Sequence, residues 1–214
     1  MKKRIMTLAW LVAALFIGFT NQANAQKTEK LFNGKDLKNW NFSVAKDGVS
    51  AEQVFSVQNG LIRISGEPFG YMYTKEKYGN YKLHVEWRWP EGKASNSGIF
   101  LLIEDLKKPF PNCIECQLHA GDAGDFVLLG GSDLTEFTSK VRPEFPVVKK
   151  DKASTENPAG EWNEANIFVQ DGVITVYING VYQNTGTNRV TEGHIGLQSE
   201  GGPIEFRNVT VTKL

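Results

Sequence analysis

The sequence lacks an excess of charge of either sign. Its 214 residues include 24 lysines and arginines and 24 aspartates and glutamates, so the formal net charge at pH 7 is zero. Proteins that bind nucleic acids or anionic membrane surfaces usually carry a basic patch, so this balance argues against both kinds of partner. The hydrophobic content of 41% and the length favour a globular protein with one sizeable core.

Cysteine is also scarce. The two cysteines, Cys113 and Cys116, lie three residues apart in a segment with the pattern of a β-strand. At this spacing two side chains point to opposite faces of a strand, and their Cα atoms lie about 10 Å apart, beyond the reach of a disulfide. A zinc site would need two further ligands, and the chain has no second cysteine pair. We expect two unpaired thiols in a packed sheet.

Long hydrophobic runs are absent except at the N-terminus. There the basic segment "MKKRIM" precedes the apolar run "TLAWLVAALFIGF", and "ANA" follows it before Gln26. This order is typical of a bacterial signal peptide, and the run is too short for a comfortable membrane span. The sequence predicts that residues 1–25 are removed after Ala25. Residues 26–214 then form a single domain, periplasmic or secreted, with no membrane insertion.

What the sequence does contain is a series of β-rich runs separated by turn dipeptides. Asn59-Gly60, Asp171-Gly172 and Asn179-Gly180 each stand between two such runs, a strong signature of β-hairpins. No long segment has helical periodicity, and a shift of apolar parity predicts a bulge near Asn208. About twelve strands in a chain of this size predict an all-β fold, a two-sheet antiparallel jelly-roll sandwich. The Pro- and Lys-rich segment 140–162 reads as a long functional loop.

Three strands carry a row of polar side chains on one face. A solvated face of an antiparallel sheet explains any single row. Three rows rich in hydrogen-bonding groups favour a site for a polar ligand on a concave sheet. Tyr71 and Trp162, beside glycine-rich or loop segments, are candidates to stack against a sugar, whereas Trp87 and Phe206 are expected in the core. The rows comprise His84, Glu86 and Arg88; Glu115, Gln117 and His119; and His194, Gln198 and Glu200.

Several common catalytic motifs are missing. The chain has no G-x-S-x-G nucleophile elbow, no phosphate-binding glycine loop and no H-E-x-x-H sequence. His119 with Asp122 or Asp125 offers a pair of metal ligands, but aspartate in a turn is the simpler explanation.

Five segments in order along the chain resemble the bacterial 3-keto-disaccharide hydrolase family. They are "LFNGKDLKNW", "YKLHVEWRWPEGKASNSGIFL", "IECQL", "GEWNEANIFVQDGVITVYINGV" and "HIGLQSEGGPIEFRNVTV". The resemblance implies an exported jelly roll of the concanavalin A-like lectin and glucanase type. It also implies a carbohydrate substrate, a glycoside oxidised to a ketone at C3 of a sugar.

The family's motifs fall on Glu86 and Arg88, on Glu115 and Gln117, on Asn96 and on Gln198. The chain departs from the family at two places. It has His119 and Ala120 where many members have an aspartate, and Ser199 and Glu200 where many have a histidine.

A ketone at C3 acidifies the hydrogen on C2, so the bond at C1 can break by elimination, followed by addition of water. This chemistry needs a base, a group that stabilises the enolate oxygen and an acid for the leaving group. We expect Glu115 or His119 as base, Arg88 or His84 at the oxyanion with Glu86 orienting Arg88, and Glu200 or His194 as acid. Gln117, Gln198 and Asn96 would hold sugar hydroxyls.

Alternatives remain for the site and for the function. Glu86 and Arg88 are equally explained as structural ion pairs with neighbouring strands. No cofactor is required, although a divalent metal on His and Glu would polarise the ketone. An ordinary glucanase-like glycosidase and a non-catalytic sugar-binding module use similar sandwiches. The enzymatic hypothesis requires that Glu86, Glu115 and Gln198 converge in one hollow.

Overall fold

The computed structural model describes residues 26–107 and 110–214. The predicted signal peptide, residues 1–25, lies outside this part of the chain. The described residues form fifteen β-strands, one four-residue α-helix and one 3₁₀ turn. The strands are β1 (Thr28–Lys30), β2 (Trp40–Val44), β3 (Phe55–Gln58), β4 (Leu61–Ile64), β5 (Gly70–Thr74), β6 (Tyr81–Arg88), β7 (Gly98–Ile103), β8 (Cys113–Gln117), β9 (Phe126–Leu129), β10 (Val147–Val148), β11 (Asn163–Gln170), β12 (Val173–Ile178), β13 (Val181–Thr187), β14 (His194–Ser199) and β15 (Ile204–Lys213); α1 is Ala51–Val54 and the 3₁₀ turn is Pro90–Gly92.

The strands form two antiparallel sheets, which confirms the predicted jelly-roll sandwich. The eight-stranded sheet has the order β13-β12-β11-β6-β15-β4-β3, with β1 also pairing with β15. The seven-stranded sheet has the order β10-β9-β8-β7-β14-β5-β2. Strands that are distant in sequence are therefore neighbours, and β7 lies between β8 and β14.

The predicted turns are present at the predicted positions. Asn59, Asp171 and Asn179 have φ near +50°, and the glycine after each also has a positive φ, the conformation that tight hairpin turns need. The predicted bulge is confirmed as well, since the register of β15 against β6 shifts between Arg207 and Thr210. The sequence does not predict β1, β10 and α1, because each is only two to four residues long. It does not predict β2 either, because that strand has no clear alternation of polar and apolar residues.

The main core lies between the two sheets. It takes the inward side chains of both sheets, among them Trp87 and Phe206, as predicted, and Ile114 and Cys116 from β8. A second, smaller apolar cluster lies on the other face of the seven-stranded sheet and includes Tyr71, Phe100 and Cys113. Residues that alternate with Ile114 and Cys116 therefore point away from the core, onto this outer face. Both cysteines are buried and unpaired, as predicted.

Candidate functional site

A cleft of about 430 Å³ opens on the outer face of the seven-stranded sheet. Polar side chains line one side of this cleft and apolar side chains line the other. A hollow of about 400 Å³ continues from it and shares Phe69, Asn96 and Glu200. The polar side comprises Asn96, Glu115, Gln117, Gln198 and Glu200, and the apolar side comprises Phe69, Phe110, Val127, Leu129, Phe145 and Val147.

Glu115 is the most deeply placed ionisable group of the cleft. It follows Ile114 in β8 and so points out of the core, yet its exposed fraction is only 2%. Its Oε1 atom has no hydrogen-bond partner among the residues that the structure describes. A buried carboxyl oxygen without a partner is costly, so this group is held in place for a reason other than stability.

Gly98 makes the space in which the Glu115 carboxyl lies. Gly98 pairs with Gln117 across β7 and β8, and it is one residue beyond the Ile99–Leu197 pair, so it stands between Gln117 and Gln198. A Cβ atom at this position would lie 2.2 Å from Oε1 of Glu115. The missing side chain therefore creates a hollow between two amides, and the carboxyl leans into it.

The amides around this hollow have hydrogen-bonding groups that the described residues leave unused. Neither polar atom of the Gln198 side chain has a hydrogen-bond partner in residues 26–107 and 110–214, nor does Oδ1 of Asn96. Gln117 is oriented by its own backbone, because its Oε1 accepts hydrogen bonds from the N–H groups of Leu118 (2.9 Å) and His119 (2.8 Å). That arrangement leaves the NH₂ group of Gln117 as a donor.

Two carboxyl groups of the cleft have perturbed pKa values. Burial, with a smaller effect from the negative charge of Glu200, raises the pKa of Glu115 well above its usual range. Partial burial also raises the pKa of Glu200, although the amides of Gln198 and Asn96 and the imidazole of His119 oppose this shift. Two nearby carboxyl groups in unequal environments are typical of an acid and base pair.

His119 is exposed and is not part of the cleft lining, but it lies close enough to Glu200 for its charge to act on that carboxyl group. Its Nδ1 is 3.0 Å from Oδ2 of Asp122. Burial alone would raise the pKa of Asp122, but the hydrogen bond with His119 and the charges of Lys149 and Lys150 outweigh it and lower the pKa. A carboxylate that accepts from Nδ1–H leaves Nε2 free to take a proton.

The long segment 140–162 holds the His119 loop in place. The carboxylate of Glu156 accepts a hydrogen bond from the N–H of Gly121 (2.8 Å), and Nζ of Lys150 donates to the carbonyl oxygen of Gly121 (2.7 Å). The same segment supplies Phe145 and Val147 to the cleft.

The predicted convergence of Glu86 with Glu115 and Gln198 is wrong. β6 belongs to the eight-stranded sheet, and its buried residue Trp87 faces the core, so Glu86 points out of the opposite side of the sandwich. Nε of Arg207 donates to Glu86 over 2.6 Å, and Nδ2 of Asn208 donates to its other oxygen over 2.6 Å. Glu86 is thus part of a structural network, as the alternative hypothesis stated, and the enzymatic hypothesis fails in the form that required Glu86 in the site. Glu115 and Gln198 still share one cleft, and its second carboxyl group is Glu200.

The other candidates on and near β6 also lie away from the cleft. Arg88 donates from Nε to Glu205 over 2.7 Å, and Nδ1 of His84 lies 3.1 Å from Oδ1 of Asn166. Trp162, expected in a sugar cleft, instead lies against two guanidinium groups, with its ring centroid 3.9 Å from Cζ of Arg207 and 4.7 Å from Cζ of Arg88. Arg88, His84 and Trp162 therefore do not reach the cleft.

Tyr71 and His194 lie on the correct sheet but do not line the cleft. Tyr71 is fully buried in the small apolar cluster, and its hydroxyl donates to the carbonyl oxygen of Lys107. Nδ1 of His194 is 2.9 Å from the carbonyl oxygen of Thr74, and its ring lies against Tyr73. The structure therefore contradicts the prediction that Tyr71 and His194 contact a sugar in this cleft.

Three aromatic residues of the cleft are not among the residues predicted to line it. Phe69, Phe110 and Phe145 come from three separate loops, so no periodic pattern marks them. Neither a turn nor a metal site, the two explanations of Asp122 from the sequence, accounts for its hydrogen bond with Nδ1 of His119. A proline beside each phenylalanine, or two residues before it, was the only local signal of an irregular segment.

Two further observations concern metal ions and membranes. In the part of the chain that the structure describes, no three His, Cys, Asp or Glu side chains group closely enough to hold a metal ion. No helix within residues 26–107 and 110–214 is long and apolar enough to cross a membrane.

A larger open groove of about 740 Å³ lies near Trp40 and Phe55. None of the buried polar atoms without a hydrogen-bond partner lies in this groove, so we place the site at the Glu115 cleft.

Comparisons with known proteins agree with the fold and with a role in carbohydrate processing. Residues 27–212 match the family of 3-keto-alpha-glucoside-1,2-lyase-like domains. A 3-keto-disaccharide hydrolase of Bacteroides thetaiotaomicron is 23% identical over 86% of this chain and 77% of its own length.

Solved structures share the sandwich. A Parabacteroides distasonis protein, provisionally described as a glycosyl hydrolase, has a TM-score of 0.64 at 23% identity, over 87% of this chain and 94% of its own. A β-glucanase of Bacillus licheniformis has a TM-score of 0.58 at 14% identity, over 90% of this chain and all of its own.

Proposed function

This chain belongs to the family of 3-keto-alpha-glucoside-1,2-lyase-like domains, and on that premise we propose that it cleaves the glycosidic bond of 3-keto-glycosides in the Glu115 cleft. The observation that carries the proposal is the Oε1 atom of Glu115, which is buried, without a hydrogen-bond partner in the described chain, and next to the unpartnered amide of Gln198. Polar groups kept unsatisfied in a cleft are arranged for a polar ligand.

The unequal carboxyl groups suggest how the roles divide. Because burial raises the pKa of Glu115 well above its usual range, burial favours its protonated form, and this group acts as the acid. Glu200 is less buried, and two amides and His119 favour its charged form. Glu200 therefore acts as the base, so the roles expected from the sequence for Glu115 and Glu200 are exchanged. The His119–Asp122 pair is a further proton acceptor.

The reaction begins with elimination. Glu200 takes the proton from C2 of the 3-keto sugar, and the electron pair of that C–H bond forms an enolate with the C3 ketone. The bond between C1 and the leaving oxygen then breaks, while Glu115 gives that oxygen its proton. The NH₂ groups of Gln117 and Gln198 are the donors available to the enolate oxygen. The products of this half are an alcohol and a sugar enone.

Water then adds to the enone. The ionised Glu115 takes a proton from water as its oxygen bonds to C1, and Glu200 returns the proton to C2. Both carboxyl groups recover their starting states, and the net reaction consumes one water to give a 3-keto sugar and an alcohol. Release of the enone before this step would make the same site a lyase.

One assay tests the proposal against an ordinary glycosidase and a binding module. Purified protein is given a plain disaccharide, its 3-keto form and a β-glucan, and released sugars are identified by mass spectrometry. We expect release of a 3-keto sugar from the oxidised disaccharide alone. Release from β-glucan, or saturable binding without any product, would replace the proposal with one of the alternatives.

We also propose that the protein is exported. The N-terminal pattern supports cleavage after Ala25. Expression of the full chain in a bacterium should yield a periplasmic or secreted protein whose intact mass begins at Gln26. A mass that retains residues 1–25 would count against export by this route.

A further inference from the structure

We propose that the apolar side of the cleft binds an apolar leaving group, so that the preferred substrates are 3-keto-glycosides of aromatic or alicyclic alcohols rather than of a second sugar. This inference rests on the proposed function, since it assigns the part of the substrate that departs. It assigns a specificity role to Phe69, Phe110 and Phe145.

The three phenylalanines form a continuous row of rings. The centroids of Phe69 and Phe110 are 5.8 Å apart, and those of Phe110 and Phe145 are 5.2 Å apart, both in edge-to-face arrangements. Each ring comes from a different loop, so the row is a feature of the assembled fold. Aromatic rings in such a row present apolar surface suited to another ring.

The apolar floor begins directly beside the acid. Val127 pairs with Glu115 across β8 and β9, and Val147 pairs with Val127 across β9 and β10. The amides and Gly98 lie on the other side of Glu115. A sugar held by the amides would therefore place its C1 oxygen at Glu115 and its leaving group over Val127 and Val147.

This side of the cleft offers no side-chain hydrogen bonds to a second sugar. Phe110, Val127, Leu129, Phe145 and Val147 carry no hydroxyl, amide or charged group, and only Phe69, at the far end of the row, lies near Asn96 and Glu200. The hydroxyls of a second pyranose would lose water there without gaining a partner, which weakens binding. A hydrocarbon ring would lose nothing of this kind.

The row also exposes apolar surface that the fold leaves uncovered. Phe69 is 45% exposed, Phe145 is 40% exposed and Val147 is 36% exposed, whereas Val127 and Leu129 of β9 are buried. Exposed apolar patches at the edge of a polar cleft are typical of ligand sites. Covering them with a bound ring removes this surface from water and favours binding.

The test compares two substrates of the same anomeric configuration, a cyclohexyl 3-keto-glucoside and a 3-keto-disaccharide, because neither has the activated leaving group of a phenyl glycoside. We expect kcat/KM for the cyclohexyl substrate to be at least about tenfold higher, and Phe145→Ala to lower it about tenfold, as expected for loss of one apolar contact surface. The same variant should lower kcat/KM for the disaccharide by a clearly smaller factor than for the apolar substrate. Phe69→Ala serves as a second variant, and Val141→Ala, in the same loop and 76% exposed, is the matched control.

A preference for the disaccharide, or equal losses on both substrates in Phe145→Ala, would overturn the inference. A second measurement separates it from the proposed function. Unoxidised cyclohexyl glucoside should bind in calorimetry, and Phe145→Ala should weaken that binding. If no 3-keto substrate is cleaved but this binding pattern holds, the proposed reaction fails and the apolar subsite stands. If cleavage occurs but the cyclohexyl group confers no binding, only the subsite fails.

Discussion

At the scale of the residue, the site is built on one side chain that lowers the stability of the folded protein. Glu115 is 2% exposed, yet one of its oxygens has no partner in the described residues, and Glu200 adds a second negative charge nearby. A raised pKa means that the folded chain keeps a proton that the unfolded chain releases. Stability is therefore unaffected below the unfolded pKa of about 4.3 and decreases as the pH rises above it.

Glu115→Gln should separate stability from activity. We expect the variant to melt at the same temperature as the wild type near pH 4 and at a higher temperature at pH 7, by about 2–4 °C for each kcal/mol recovered. Its kcat on a 3-keto-glycoside should decrease by about a hundredfold or more, because the acid is lost.

Calorimetric melting curves between pH 4 and pH 8 measure the first effect, and product release measures the second. Glu192→Gln, at an exposed position, is the control and should change neither. A variant that melts below the wild type at pH 7 would contradict this account of Glu115, and full activity would remove it from catalysis.

Much of this residue-scale picture follows from the sequence, and some of it does not. Strand alternation correctly placed Glu115 and Gln117 on one face, opposite Ile114 and Cys116. Alternation gives no information on what surrounds a side chain after folding. The space left by Gly98 and the ring of Phe145 depend on neighbours more than ten residues away in sequence, so only the assembled sheet reveals them.

At the scale of the element, the error in the site prediction has a simple cause. The row on β6 has the same polar alternation as the row on β8, but β6 lies in the eight-stranded sheet. Alternation assigns a side chain to one face of its own strand and does not assign the strand to a sheet. Both sheets of a sandwich have an outer face, so identical patterns mark opposite sides of the molecule.

Glu86→Gln should therefore affect stability and leave catalysis unchanged. Burial alone would raise the pKa of Glu86, but hydrogen bonds from Asn208 and Arg207 lower it below the usual value. This contribution to stability is present above the unfolded pKa and is lost as the pH falls through the lowered folded pKa. At pH 7 we expect the variant to lose about 1 kcal/mol, since the group is partly exposed.

Melting curves at pH 7 and kcat/KM on a 3-keto-glycoside test this assignment. Wild-type kcat/KM with a reduced melting temperature is the expected result. A large decrease in kcat/KM without loss of stability would return Glu86 to the active site.

At the scale of the whole molecule, the topology brings the polar rows of β8 and β14 together. They are separated by some eighty residues along the chain, and β7 lies between them in the sheet. Composition, turn dipeptides and strand alternation suffice to predict a two-sheet sandwich. Strand order is set by long-range packing, so it enters the prediction only through resemblance to a family.

The sandwich also separates its two polar networks by a full apolar core. Residues without shared partners on opposite faces of a protein contribute independently to stability. At pH 7 the two substitutions Glu86→Gln and Glu115→Gln are expected to change the free energy of unfolding in opposite directions. We expect these two changes to add in the double variant within about 0.5 kcal/mol. Calorimetry of the two single variants and the double variant measures this, and strong coupling would contradict the separation.

Gly98 has a consequence for any attempt to make this protein more thermostable. It is the first residue of β7 and has no left-handed backbone angle, so a β-branched residue would ordinarily strengthen the sheet at this position. Here any added methyl group would occupy the space of the Glu115 carboxyl. If Glu115 acts as proposed, selection for heat resistance and selection for turnover oppose each other at this one position, because the space that a side chain would fill is the space that the acid occupies.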